Sequence, residues 1–135
     1  MSTAMELLEA QSKVVEVRGD LPLVAATLEA LAAYEQAATS CATAMTAQGG
    51  MPDAVIAALS SASVAESAAT VITHGGGEDS RLERQMLEAA ITACGRSERL
   101  CAAHADHHDH CRIHSGVARD TVAACEALLG GLNPD

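Results

Sequence analysis

Aromatic side chains are almost missing from this chain, which has no Trp, no Phe and a single Tyr, Tyr34. Apolar residues nevertheless make up 49 % of the 135 residues, and Ala alone supplies 29. A β-sandwich needs aromatic and β-branched strands, whereas closely packed helices suit small aliphatic side chains. The composition therefore predicts an all-α protein, and the length is that of one domain with a single buried core.

Basic residues are also scarce: 8 Lys and Arg stand against 18 Asp and Glu, for a formal net charge of −10. A surface this acidic repels phosphate backbones and anionic lipids, so we expect no binding to nucleic acid or to a membrane. The chain has no uninterrupted apolar run of about 18 residues, and its N-terminus lacks the pattern of a secretory signal. We therefore expect a cytoplasmic protein with reduced thiols. The cysteines are Cys41, Cys94, Cys101, Cys111 and Cys125.

Glycine and proline mark only a few breaks, which divide the chain into segments of helical length. Gly49-Gly50 precedes Pro52, Gly75-Gly76-Gly77 follows, and a polar run ending at His110 contains a further break with Asp106 as a candidate helix cap. Apolar residues recur between the breaks at helical spacing. The pattern predicts one domain over 1–135, an antiparallel up-down four-helix bundle. Its helices are expected at roughly 20–48, 52–74, 78–105 and 107–129, after a short N-terminal helix at roughly 4–17.

Sulfur and imidazole side chains converge at one end of this predicted bundle. Antiparallel alternation puts the C-terminal ends of the first and third helices beside the N-terminal end of the fourth. At about 1.5 Å of rise per residue, the candidate metal ligands then lie within about two turns of one level. In order of preference, these candidates are Cys101, His104, His108, Cys111, Cys41, His114 and Met45. The pairs Cys101–His104 and Cys111–His114 each have the spacing that puts two side chains on one helix face.

The four histidines between residues 104 and 110 also fit a solvated turn between two helices. Geometry does not allow all four to point inward at once. We favour His104 and His108 as inward ligands, and we place His107 and His110 outside the ligand set or at a port that leads to it.

Other candidates have a plainer structural explanation. Met45 is more often a flexible core filler than a ligand. Free cysteine is among the most buried residue types, so Cys94 and Cys125 are expected to be small buried hydrophobes. Tyr34 is expected to pack in the core, provided that its hydroxyl finds a partner.

The stretch from Cys101 to His114, Cys-Ala-Ala-His-Ala-Asp-His-His-Asp-His-Cys-Arg-Ile-His, resembles the copper storage protein family. That family forms a four-helix bundle with a cysteine-lined interior and a Cys-x2-His-Ala-x-His-His-x-His-Cys signature between its last two helices. The similarity extends from about Pro22 to Leu129. It implies a copper-binding bundle, with Cu(I) favoured because thiolate and thioether ligands suit that ion. Zinc is a competitor, since two Cys with two His form an acceptable tetrahedral set.

Departures from the family pattern concern the interior of the bundle. Where the family typically has Cys, this chain has Tyr34, Ala38, Met45, Ser61, Ala65, Ala90, Ser97, His114, Ala118 and Thr121. Rows of shared thiolates hold many Cu(I) ions in storage, which five cysteines cannot do. The resemblance therefore favours one low-capacity Cys/His site in a carrier, buffer or sensor. The alternative is a copper-dependent oxidoreductase with one mixed Cys/His copper and a small-molecule substrate. In either case we expect a homo-oligomer formed through helical faces.

Overall fold

Five α-helices form the fold in the computed structural model, which describes residues 2–75, 77 and 79–132. They are α1 (Thr3–Ser12), α2 (Leu21–Gln48), α3 (Pro52–His74), α4 (Arg81–Ala102) and α5 (Asp109–Gly131). No strand occurs within these described residues. The predicted all-α fold is confirmed. Met1, Gly76, Glu78 and residues 133–135 lie outside the described part, and with them the predicted helix start at 78.

Local sequence explains where α2 and α3 begin and end. The Asp20 carboxylate accepts a hydrogen bond from the Leu23 backbone N–H at 3.2 Å, and Pro22 occupies the first turn, so α2 begins here. Gly49 ends α2 with a φ of 76°, a conformation that glycine adopts without steric cost. Pro52 then begins α3. The predicted ranges for these two helices differ from the observed ones by at most one residue.

Helix α1 is shorter than the sequence pattern predicts. It ends at Ser12 instead of near 17. The residues that follow include the β-branched Val14, Val15 and Val17, whose side chains lose conformational freedom in a helix. Val17 packs against the core outside any helix, and the next residue, Arg18, forms an ion pair with Glu83 of α4 at 2.9 Å.

The connection between α4 and α5 is longer than predicted, because it comprises residues 103–108. Backbone hydrogen bonds from His107 and His108 to the His104 carbonyl close a turn within it. Asp106 was the candidate cap of the last helix, and it does not cap α5. The N-cap position belongs to His108, which has extended backbone angles and no side-chain capping bond.

Helices α2 to α5 form the bundle, in which α2 and α4 each pack against both α3 and α5, while α1 packs against α2. Thr27 of α2 donates a hydrogen bond to the Ala124 carbonyl of α5, and Thr121 of α5 donates one to the Ala30 carbonyl of α2, both at 3.3 Å. Later residues of α2 thus face earlier residues of α5. This direction brings the C-terminal end of α2 to the N-terminal end of α5.

Helix α3 supplies mostly alanine to the core. By length and composition alone it could cross a membrane, since its most apolar window has a mean hydropathy of 1.6. A core helix of a soluble bundle passes the same test. We assign α3 to the core because one face packs between α2 and α4. The residues buried on that face are Ala54, Ala57, Ala58, Ser61, Ala62, Ala65, Ala68 and Ile72.

Candidate metal centre

Three thiols from three different helices meet at one end of the bundle. The Sγ atoms of Cys41, Cys101 and Cys111 all lie within 4.8 Å of one another, and each residue is at most 1 % exposed. Cys41 lies in the C-terminal third of α2, Cys101 in the last turn of α4 and Cys111 in the first turn of α5. The opposed directions of the helices bring these positions to one level. Three soft donors at this separation suit a soft ion such as Cu(I).

The imidazole of His110 lies against these thiols. Its Nδ1 is 3.4 Å from the Sγ of Cys41 and 3.4 Å from the Sγ of Cys111. Its Nε2 lies 2.9 Å from Oε1 of Gln48, and an amide oxygen only accepts, so Nε2 carries the proton. The Nδ1 lone pair therefore faces the sulfur atoms. Burial and the neighbouring His108 lower the pKa of His110 below its usual range, which keeps the ring neutral and able to bind a metal.

The histidines that the sequence favoured lie next to His110. The rings of His108 and His110 stack with centroids 5.3 Å apart, and the rings of His104 and His108 are 6.2 Å apart. All three residues are half-buried, whereas His107 is exposed. The three rings thus lie side by side, and His110 is the one whose contacts with sulfur are observed, at Cys41 and Cys111. The sequence analysis placed His110 outside the ligand set. The residue at which α5 begins decides which side chains of this segment reach the thiols, and the sequence pattern did not give that residue.

His114 is fully buried, one helical turn after Cys111. Its Nε2 lies 2.8 Å from the Oγ of Ser97 and 3.5 Å from the hydroxyl of Tyr34. Tyr34 in turn donates a hydrogen bond to the Oγ of Ser61 at 2.6 Å, so its hydroxyl has the partner that packing requires. Nδ1 of His114 has no partner in the described part of the chain. Ser97 of α4 and Tyr34 of α2 therefore both contact the Nε2 side of this ring on α5.

The other sulfur side chains discussed in the sequence analysis are also buried in the core. Met45, one turn after Cys41, is fully buried among core residues. Cys94 and Cys125 are also fully buried, as expected for small hydrophobes. Burial raises the pKa of Cys94 to about 11 and that of Cys125 to about 12, so both remain protonated thiols at neutral pH.

The clustered thiols differ from one another in charge. A hydrogen bond from Cys41, assisted by His114 and Ser97, lowers the pKa of Cys101 to about 5 despite its burial. The same hydrogen bond, together with burial, raises the pKa of Cys41. Burial and the negative charge on Cys101 raise the pKa of Cys111. At neutral pH the cluster therefore holds one thiolate and two thiols.

A sequence model of the copper storage protein family matches residues 22–130 of this chain. The chain belongs to the copper storage protein family, and the resemblance inferred from the sequence is confirmed. No curated protein sequence matches it.

Solved structures agree with this assignment. The copper storage protein Ccsp from Streptomyces lividans, loaded with 10 copper equivalents, superposes with a TM-score of 0.86 at 29 % identity, covering 96 % of this chain and 100 % of that one. A cytosolic copper storage protein from Streptomyces lividans with five coppers gives a TM-score of 0.77 at 30 % identity, covering 83 % of this chain and 96 % of that one. A histidine-to-alanine variant of the Streptomyces protein gives 0.78 at 29 % identity, covering 85 % and 98 %.

Proposed function

We propose that this chain binds Cu(I) at one low-capacity Cys/His site and serves as a cytoplasmic carrier, buffer or sensor rather than as a bulk store. The observation that carries the proposal is the meeting of three buried sulfur atoms within 4.8 Å. Cys41, Cys101 and Cys111 supply the thiolates, and His110 supplies an imidazole that contacts two of these sulfur atoms. The description of a related protein as cytosolic supports the proposed location.

Outside this cluster the interior offers few ligands. Residues such as Ala38, Ala65, Ala90 and Ala118 are fully buried and carry no donor atom. Cys94 lies two turns before Cys101 on α4, about 10 Å along the helix axis at 1.5 Å per residue. Multi-ion storage requires thiolates that neighbouring ions share, and this spacing does not provide them. The donor supply therefore favours a small number of ions.

The other predicted ligands take positions around the same site. We place His104 and His108 at its outer edge as further imidazole donors. Met45 lies one turn from Cys41 toward the end of the bundle, and His114 lies one turn from Cys111 further into the bundle. The oxidoreductase alternative has no support from the family match or from the related structures, so binding without turnover is the proposed function.

A titration of the reduced protein with Cu(I) under anaerobic conditions, against a chromophoric Cu(I) chelator, tests this function. We expect saturation at about one or two tightly bound ions per chain, because three thiolates and an imidazole satisfy only that many. A stoichiometry above about five would overturn the low-capacity proposal, since such clusters need more shared thiolates. Absence of tight Cu(I) binding would overturn the copper proposal itself. A parallel zinc titration is needed because three Cys with one His also form a tetrahedral zinc set.

Removal of the imidazole against the thiols is expected to weaken binding. His110→Ala should lower Cu(I) affinity by about 10-fold, because the ring contacts two of the three sulfur atoms and Gln48 orients it. The same chelator competition measures the change. His107→Ala is the matched control, because His107 is an exposed histidine in the same connection and should leave the affinity unchanged. Equal affinities for the two variants would remove His110 from the site.

A further inference from the structure

We propose that the three-thiol cluster is also an oxidation site, at which hydrogen peroxide converts the metal-free thiols of Cys101 and Cys111 to a disulfide. The disulfide removes two of the three sulfur ligands and so switches copper binding off. The inference rests on the proposed Cu(I) function and adds a regulation of that site. Cytosolic disulfides are rare, and those that form are usually transient and catalytic or redox-sensing.

The sulfur atoms of the cluster are close enough to pair. The Sγ atoms of Cys41, Cys101 and Cys111 all lie within 4.8 Å of one another. A disulfide bond is about 2.0 Å long, so a side-chain rotation with a small shift of one helix end joins two of these atoms. The cluster therefore holds the two thiols that a disulfide needs, and one further thiol.

The backbone around the three cysteines favours one pair over the others. Cys101 is in the last turn of α4 and Cys111 is in the first turn of α5, and the non-helical residues 103–108 connect the two helices. Cys41 lies inside α2, about two turns before its end. Helix ends open and shift more readily than helix interiors. The pair that can approach with the least distortion is therefore Cys101 with Cys111.

The thiols lie one side chain away from the surface of the bundle end. The His110 ring contacts the Sγ atoms of Cys41 and Cys111 through Nδ1, each at 3.4 Å. Its Nε2 lies 2.9 Å from Oε1 of Gln48, which is an exposed residue. The ring thus reaches from the thiols to the surface. A rotation of this one side chain gives a molecule as small as hydrogen peroxide a path to the sulfur atoms.

The reaction consumes one peroxide and two thiols. The sulfur of Cys101 attacks one peroxide oxygen: an S–O bond forms, the O–O bond breaks, and the other oxygen leaves as hydroxide, which takes up a proton to become water. The sulfur of Cys111 then attacks the sulfenic acid on Cys101. An S–S bond forms, the S–O bond breaks, and a second water leaves with the thiol proton. Peroxide gains two electrons and each sulfur loses one, and a low-molecular-weight thiol reverses the oxidation by exchange.

Oxidation of this pair leaves Cys41 and His110 as the donors of the cluster. The sulfur atoms of a disulfide carry no negative charge, whereas the ligand that binds a metal is the thiolate. One thiolate with one imidazole is a poorer site for Cu(I) than three thiolates with the same imidazole. The oxidised protein is therefore expected to release copper or to refuse it.

The decisive experiment maps the disulfide in the full-length wild type after the reduced, metal-free protein has been treated with hydrogen peroxide. Remaining thiols are alkylated under denaturing conditions, and the protein is cut with trypsin. Cleavage at Lys and Arg leaves both Cys101 and Cys111 in the peptide 100–112, and Cys41 alone in the peptide 19–81. We expect the peptide 100–112 to escape alkylation and to be lighter by two hydrogen atoms, and we expect the peptide 19–81 to be alkylated.

The other two cysteines are internal controls in the same digest. Cys94 falls in the peptide 85–96 and Cys125 in the peptide 120–135, and both should stay fully alkylated. A peptide 100–112 that is still alkylated, that gains oxygen atoms, or that becomes linked to the peptide 19–81 would overturn the proposal.

The effect on copper is measured by anaerobic chelator competition after the peroxide has been removed. We expect the oxidised protein to bind Cu(I) at least about 100-fold more weakly than the reduced protein, because loss of ligands costs more than loss of their outer partners. Reduction with dithiothreitol should restore the affinity. Unchanged affinity in a protein with the mapped disulfide would overturn the switch, whereas absence of tight Cu(I) binding in the reduced protein would overturn the proposed function instead.

Discussion

Cys101→Ser is expected to lower the affinity for Cu(I) by at least about 100-fold. Loss of a residue that only hydrogen-bonds a metal ligand costs about 10- to 100-fold, and loss of a ligand itself should cost more. Cys101 is the thiolate of the cluster, and its sulfur lies within 4.8 Å of those of both Cys41 and Cys111. Serine offers a hard oxygen in place of a soft sulfur, and Cu(I) binds a hard oxygen poorly. Competition with a chromophoric chelator under anaerobic conditions measures the loss.

The matched control for this substitution is Cys125→Ser. Cys125 is as deeply buried as Cys101, but it lies near the C-terminal end of α5, far along the bundle from the three-thiol cluster. We expect its Cu(I) affinity to stay within about 2-fold of the wild type, because distant sites are usually independent. If Cys101→Ser retained the affinity of this control, the three clustered thiols could not be the copper ligands.

Cu(I) affinity is expected to rise steeply with pH between 6 and 8. Cys101, with a pKa of about 5, has already lost its proton in this range. Cys41 and Cys111 have pKa values raised above their usual range, so both are protonated until the ion displaces their protons. Because two protons leave as the ion binds, the binding constant should increase by about 100-fold per pH unit.

The pH dependence is measured by chelator competition at several pH values, corrected for protonation of the chelator itself. An affinity that does not change with pH would show that all three thiols are deprotonated before the ion arrives. An increase of about 1000-fold per pH unit would correspond to three displaced protons, and Cys101 would then have to be protonated as well. Either result would contradict the charge distribution of the cluster.

The sequence predicted the helices best where glycine and proline separate them. Gly49 and Pro52 limit α2 and α3, so their ranges needed little correction. The convergence of Cys41, Cys101 and Cys111 was also predictable, because it follows from the order of the helices and the positions of the three residues along them. Cysteines near three helix ends meet whenever consecutive helices alternate in direction.

The roles of individual histidines could not be obtained in the same way. Which of the residues 104–110 reaches the thiols depends on where α4 ends and where α5 begins, and a shift of two residues rotates each side chain by more than half a turn. The backbone turn closed by the His104 carbonyl precedes the start of α5 and so affects which side chains face the thiols. The spacing of apolar residues in the sequence does not reveal the hydrogen bonds of this turn. The orientation of His114 depends on Ser97 of α4 and Tyr34 of α2, which meet only after the bundle has assembled.

The alanines buried in the bundle mark positions at which one substitution would add a donor atom to the interior. Ala65, Ala90 and Ala118 are fully buried on three different helices, and a change from Ala to Cys adds a single sulfur atom to each. Small additions of volume are tolerated far better than large ones in a packed core. Single Ala→Cys substitutions would therefore add sulfur donors to the interior one at a time, with little change in the packing of the helices.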